Sequence, residues 1–337
     1  MTFSINGRLI GQNASPYIIA EIGINHNGSF DQAMKLVAAA AATGVDAVKF
    51  QTYQTTKLLS EDSEYFELLR SFELESSQFE ALFDYARSKN IDAFAACFDE
   101  ESADIWDSFG TPAFKIASGD ITHHQLLKKI AQFNKPMIVS TGASSLTDVA
   151  SALKTIHAVN PTLEIALLHC VSKYPTKPEE ANLLCIKTLK EEFGKTVGFS
   201  DHTEGLITPL AAICMGALIV EKHFTLDKNG YGPDHKLSAD PMEMSELVLL
   251  SKKVFASLGN GRKELVEGVE TQSAIRRSII LTKSLKANEV IDETMLEVTR
   301  PGYGISSSEF SKVIGSKVRV DLKKGHRLSA NDFILPG

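Results

Sequence analysis

Cysteine is scarce in this 337-residue chain: Cys97, Cys170, Cys185 and Cys214 are the only four, and no two stand as CxxC. So few thiols exclude a disulfide framework, and a reducing cytoplasm is the expected compartment. Basic charge is also short. Lysine and arginine number 35 against 42 aspartates and glutamates, a formal charge of -7. Without a basic stripe, a general nucleic-acid surface is not expected, and any anion site must be local. The longest apolar stretch, around 206–220, is broken by proline and short for a membrane span. The N-terminus lacks the basic-then-apolar order of a signal peptide, so no membrane partner is expected. After the first apolar run the chain reads EIGINHNG rather than GxGxxG, which weakens a dinucleotide-binding reading.

What is present is a repeated alternation. With 43% hydrophobic residues the chain can bury more core than one small domain needs. Eight short apolar runs alternate with helical patterns: YIIAEIG from Tyr17, VDAVKFQ from Val45, IDAFAAC from Ile91, PAFKIA from Pro112, KPMIVS from Lys135, EIALLHC from Glu164, KTVGFS from Lys195 and ALIVEKHF from Ala217. Helices are expected between them, among others over 31–43, 76–89, 147–160 and 179–193. Eight βα units over about 250 residues predict an α/β fold of the closed (β/α)8, or TIM, barrel type, spanning 1–260. Residues 261–278 are polar and read as a linker. A small β-rich domain over 279–337 follows, in which LKANEVIDETML and LKKGHRLSANDF share their lysine, turn and aliphatic positions and read as two related halves. At about 60 residues it would be marginal alone and would lean on a partner surface.

Barrel chemistry gathers where strands end. The polar residues closing the runs are Glu21; Lys49 and Gln51; Lys115 and Ser118; Ser140 and Thr141; His169; Ser200, Asp201 and His202; and Glu221, Lys222 and His223. A lysine inside AVKF or AFKIA must desolvate its ammonium, which asks for a compensating anion or carboxylate. Lys49 and Lys115 are therefore candidates for a phosphate or carboxylate cradle. Outward snorkelling, a structural ion pair and a Schiff-base role all stay open. His202 and His223 follow consecutive strands, neighbours in a barrel, so their imidazoles are candidate ligands for one divalent cation, although each is also compatible with a packing role. Glu21 fits a general base, a sugar-hydroxyl acceptor or a lysine's partner.

The ordered motifs AEIGINHNG, DAVKFQT, PAFKIASGD, STGA, SKYP, GFSDHT, EKHFTLD and GPDHK, then RPGYGI near the C-terminus, make the chain resemble the N-acetylneuraminate (sialic acid) synthases and their legionaminate and other nonulosonate relatives. The resemblance covers nearly the whole sequence. It implies a transferase that condenses phosphoenolpyruvate with N-acetylmannosamine, or alternatively with a diacetamido sugar, by C–O cleavage. It also implies an antifreeze-like (SAF, β-clip) small domain and a domain-swapped homodimer. By motif, Lys49, Lys115, Ser118, Ser140 and Ser200 would hold phosphoenolpyruvate. His202 and His223 would bind Mn2+ or Mg2+, which would polarise the sugar aldehyde. Glu21, Gln51, Tyr174 and Asp234 would face the sugar, and Arg300 would reach it from the partner. Three positions depart from the family pattern: Ala96–Cys97, where a hydroxyl residue and proline are commoner, Ala143, and Lys173 beside Tyr174. A carbohydrate- or ice-binding protein on a decayed barrel is the competing reading from another class.

Overall fold

A computed structural model describes residues 3–11 and 14–335. The chain divides into two compact units, 1–259 and 260–337. In the first, a hairpin of β1 (Phe3–Ile5) and β2 (Arg8–Ile10) precedes eight parallel strands. These are β3 (Tyr17–Gly23), β4 (Ala47–Thr52), β5 (Asp92–Cys97), β6 (Phe114–Ile116), β7 (Met137–Ser140), β8 (Ile165–Cys170), β9 (Thr196–Asp201) and β10 (Ile219–His223). They close in chain order, with β10 returning to β3 so that His223 stands opposite Glu21. All eight expected runs are barrel strands. Each is covered by helices outside and side chains inside, so each needs apolar residues on both faces and reads as a continuous run.

Local chemistry sets the helix boundaries. Ser29 accepts from the Gln32 N–H to open the helix Phe30–Thr43, and Gly44, at φ 81°, closes it in the left-handed conformation that glycine adopts without strain. Ser145 and Asp148 form a reciprocal capping box for Leu146–Val159. The helix expected over 179–193 is broken: a 3-10 turn spans Pro178–Glu180, Asn182 takes a positive φ, and the α-helix covers only Cys185–Phe193. Between strands and helices lies the outer core, where the single tryptophan, Trp106, packs on Phe50, Phe79 and Phe83 and donates to Thr52 Oγ1 at 2.8 Å. Inside the barrel a second apolar cluster joins Tyr17, Ile19, Phe94, Ile138, Leu168 and Ile219 to Phe3, Ile5 and Ile10 of the hairpin, which plugs the N-terminal end. Asn6–Gly7, both at positive φ, supply its two-residue turn. Among the described residues no helix is long and apolar enough to cross a membrane.

The small unit pairs β11 (Ser278–Leu281) with β12 (Leu296–Thr299) and β13 (Lys317–Val318) with β14 (Phe333–Ile334) around a core containing Ile279, Leu285, Ile291 and Leu328. The two related halves meet where Leu285 and Leu322 exchange both backbone hydrogen bonds at 2.9 Å. Asn288 and Gly325 occupy the same left-handed turn position in each. The segment expected as linker contains an α-helix, Gly268–Ile275, with no buried residue. Its lack of a continuous apolar face hid it from a periodicity reading.

Candidate active site

The barrel changes character along its axis. Two residues beyond the apolar interior positions Ile19, Ala47, Ala113 and Ile219 stand Glu21, Lys49, Lys115 and Glu221, again facing inward because side chains alternate along a strand. All four are buried. A register shift in β3 between Glu21 and Gly23, with Gly23 at φ 52°, lets the strand kink so that Glu21 Oε1 accepts from Gln51 Nε2 at 3.0 Å.

Charge here is concentrated and internally compensated. Lys49 Nζ lies 3.1 Å from Glu21 Oε2 and 3.4 Å from Glu221 Oε1, and Lys115 Nζ lies 3.8 Å from Glu221 Oε1. Lys115 also donates to Ser140 Oγ at 2.6 Å, and Ser200 Oγ donates to Glu221 Oε1 at 2.9 Å. Burial alone would discharge both lysines. At Lys49 the two glutamates overcome it and raise the pKa, whereas at Lys115 burial prevails and lowers it to about 8. Burial likewise pushes the Glu21 carboxyl up to about 7, while the two lysines hold Glu221 below the usual carboxylate range against its own desolvation. Glu21 Oε2 has only the Lys49 ammonium beside it, and Glu221 Oε2 is buried without a hydrogen-bond partner. This is a set of donors and acceptors with capacity left over.

Beside this cluster lie the two imidazoles. His202 Nδ1 is 2.7 Å from the Val171 carbonyl, which can only accept, so Nδ1 carries a proton and Nε2 points elsewhere. The rings of His202 and His223 are 5.4 Å apart, with the Tyr174 ring 4.1 Å from the former. His223 Nδ1 faces Asp234 Oδ2 at 3.5 Å and is buried without a hydrogen-bond partner. Burial opposes charge on both rings. It wins at His223, whose pKa falls well below the ordinary value, while Cys170 Sγ at 3.8 Å and the Val171 carbonyl raise that of His202. Among the described residues no group of three or more His, Cys, Asp or Glu side chains is arranged to hold a metal ion. Two imidazoles with one orphaned ring nitrogen fit a cation that keeps positions open for substrate and water, and they do not fit a closed structural site.

Ser118 Oγ accepts from the Gly142 N–H at 3.0 Å. A Cβ at Gly142 would lie 2.3 Å from Ser172 Oγ and 2.7 Å from Ser118 Oγ, so only glycine admits these hydroxyls to the STGA turn. The barrel unit thus gathers Glu21, Lys49, Gln51, Lys115, Ser118, Ser140, Ser200, Tyr174, His202, His223 and Asp234 on its C-terminal side. Arg300 belongs to the small unit, where it is exposed. Glu221, noticed in the sequence only as a strand-end residue, proves to be the hub of both lysines and Ser200. Its signal was parity: it stands two residues before His223 on the same face. Ser172 went unnoticed in VSKYP. Ala96 is opposite Lys115 in the register, while Cys97 packs in the outer core. Lys173 donates to Glu180 Oε1 at 2.6 Å on the exposed side of its loop.

Comparison with known proteins identifies the family of both units. Residues 276–334 match the SAF domain and residues 36–263 the NeuB family. The chain is 38% identical to an N,N'-diacetyllegionaminic acid synthase of Legionella pneumophila over 94% of each chain. It is 33% identical to a pseudaminic acid synthase of Campylobacter jejuni, covering 94% of this chain and 96% of that one. Among solved structures, an N-acetylneuraminic acid synthetase of Leptospira borgpetersenii, crystallised with citrate, superposes with a TM-score of 0.77 at 33% identity, over 82% of this chain and 97% of that one. A barrel with a charged mouth, a SAF domain later in the sequence and relatives of this kind along its length mean that the chain belongs to the NeuB family of sialic and related nonulosonic acid synthases.

Proposed function

We propose that the protein condenses phosphoenolpyruvate with the open-chain aldehyde of an N-acetylated amino sugar in the cytoplasm, releasing phosphate and a 2-keto-3-deoxy sugar acid. The observation that carries this reading is the convergence of two buried lysines and three hydroxyl residues beside two imidazoles. Lys49 and Lys115, with Ser118, Ser140 and Ser200, hold the phosphate and carboxylate of phosphoenolpyruvate. Glu221 keeps both ammonium groups charged and aimed inward. Glu21, paired with Gln51 and titrating near neutrality, takes and returns a proton at the sugar. His202 and His223 would hold the divalent ion, Mn2+ or Mg2+, with Asp234 beside them; when bound, it supplies Lewis acidity to an aldehyde oxygen.

In this scheme C3 of phosphoenolpyruvate attacks the aldehyde carbon, whose oxygen gains a proton. Water adds at the resulting cationic C2, and the tetrahedral intermediate collapses with cleavage of the C2–O bond, so that phosphate carries away the oxygen. The fixed ammonium groups stabilise charge as it moves and need no reorientation. Tyr174 lines the sugar side, and Arg300 completes it from the second subunit of a homodimer.

N-acetylmannosamine is the simplest sugar of this class. The 38% identity to a diacetyllegionaminate synthase favours a diacetamido sugar as the second reading. Lys173, matched by Glu180, presents no free cation to choose between them. Phosphate release from phosphoenolpyruvate, measured with each sugar and Mn2+, tests both: a tenfold higher kcat/KM assigns the better substrate. Background release with both sugars would sink the proposal, and a borohydride-trapped adduct on Lys49 or Lys115 would replace it with Schiff-base chemistry.

A further inference from the structure

Asp201 stands between Ser200 and His202, and Lys222 between Glu221 and His223. These two intervening residues are direct partners in the register of β9 and β10. Val197 and Phe199, Val220 and Phe224 belong to the outer core, so alternation places Asp201 and Lys222 on that outer side, behind the site. Both are at most 1% exposed. Lys222 Nζ donates to Asp201 Oδ2 at 2.7 Å and to the Thr203 carbonyl at 2.8 Å, and Asp201 Oδ1 accepts from Thr203 N and Oγ1 at 2.9 and 2.8 Å. Thr203 in turn bridges to Thr176, whose N–H donates to the His202 carbonyl at 2.9 Å.

An ion pair set in an apolar layer is a poor source of stability, because desolvation offsets its attraction and apolar replacements are often neutral or better. Its geometry serves something else. It locks the ends of the two strands that carry the imidazoles and sets the turn immediately after His202. We infer that Asp201 and Lys222 are positioning residues for the two-histidine site, holding the His202 and His223 rings 5.4 Å apart from behind. This rests on the metal reading above.

The test uses the full-length protein as the double variant Asp201→Leu, Lys222→Met, and separately as the polar pair Asp201→Asn, Lys222→Gln, which nearly keeps the shape and removes both charges. Free Mn2+ is followed by electron paramagnetic resonance during titration without substrate, alongside thermal melting and kcat at rising Mn2+. The double variant should melt within a few degrees of the unmodified protein while its Mn2+ affinity falls about 10- to 100-fold, as for other outer partners of metal ligands. Saturating Mn2+ should restore most of kcat, which a merely structural defect would not allow. The polar pair should show a smaller loss in the same direction and keeps the inference testable if the double variant misfolds. A folded variant that binds Mn2+ as tightly as the unmodified protein, or whose kcat excess Mn2+ does not restore, overturns the inference alone. Absence of Mn2+ binding by the unmodified protein overturns the metal reading and this one together.

Discussion

The two ends of the barrel interior are built from the same strands and differ in almost everything else. At the N-terminal end, Ile19, Ala47, Phe94 and Ile219 close over the hairpin's Phe3, Ile5 and Ile10 in a dry cluster. Two residues further along three of those strands, Glu21, Lys49 and Glu221 stand equally buried but charged. The first layer gains from burial, roughly 25 cal/mol per Å2 of apolar surface. The second loses by it, since each ion has left water and recovers only part of its hydration from the others. The difference teaches a division of labour: the apolar end supplies rigidity, so the charged end can be held in a geometry chosen for a ligand rather than for itself.

If that division is real, mutations at the two ends should fail in opposite ways. The largest effect is expected from Lys115→Met, which removes a fixed cation and keeps the volume. The kcat/KM should fall about 1000-fold, the scale for losing one preorganised electrostatic group, with a melting temperature within a few degrees of the unmodified protein. A variant that instead lost its fold would show that the charged layer is structural. Phe94→Ala is the mirror experiment: denaturant titration should show about 3 kcal/mol of lost stability from the cavity, with kcat/KM per folded molecule changed less than threefold. Loss of turnover without loss of stability would break the comparison from the other side.

A smaller effect distinguishes the ends by pH. Glu21 titrates near 7 in the folded protein against 4.5 as its ordinary value. Below pH 4.5 it is neutral in both states. Between 4.5 and 7 the unfolded chain gives up the proton that the folded chain keeps, so stability from this residue declines as pH rises and levels off above about 7. Glu21→Gln, neutral at every pH, should remove that decline. Parallel melting curves of the two proteins across this window check it, and curves that stay parallel would show that burial does not penalise the Glu21 anion.

Most of the fold was legible because parallel barrel strands, buried on both faces, announce themselves as apolar runs, and because Lys49 and Lys115 interrupt such runs at equivalent places. The charged mouth was legible from the same interruptions. Less visible were features that depend on pairing between distant positions. The capacity of Glu221 to bridge two lysines comes from the closure of β10 beside β3 and β9, not from its neighbours in sequence. The hairpin went unread although FSINGRLI carries an Asn–Gly turn between alternating apolar residues, and its role as a plug appears only once the barrel exists. The break at Asn182 was masked by a helical pattern that continues on both sides.

That plug has a consequence for how the chain reaches its structure. Ser4 donates through both its N–H and its hydroxyl to Glu164, 160 residues away, and β3 waits for β10, the last strand of the barrel, before its own edge is paired. During synthesis Phe3, Ile5 and Ile10 therefore emerge well before the cavity they fill. Contacts of such sequence separation slow folding and leave sticky surface exposed meanwhile. The segment that seals the barrel is thus committed late, and the order in which the ribosome delivers the chain runs opposite to the order in which the barrel can use it.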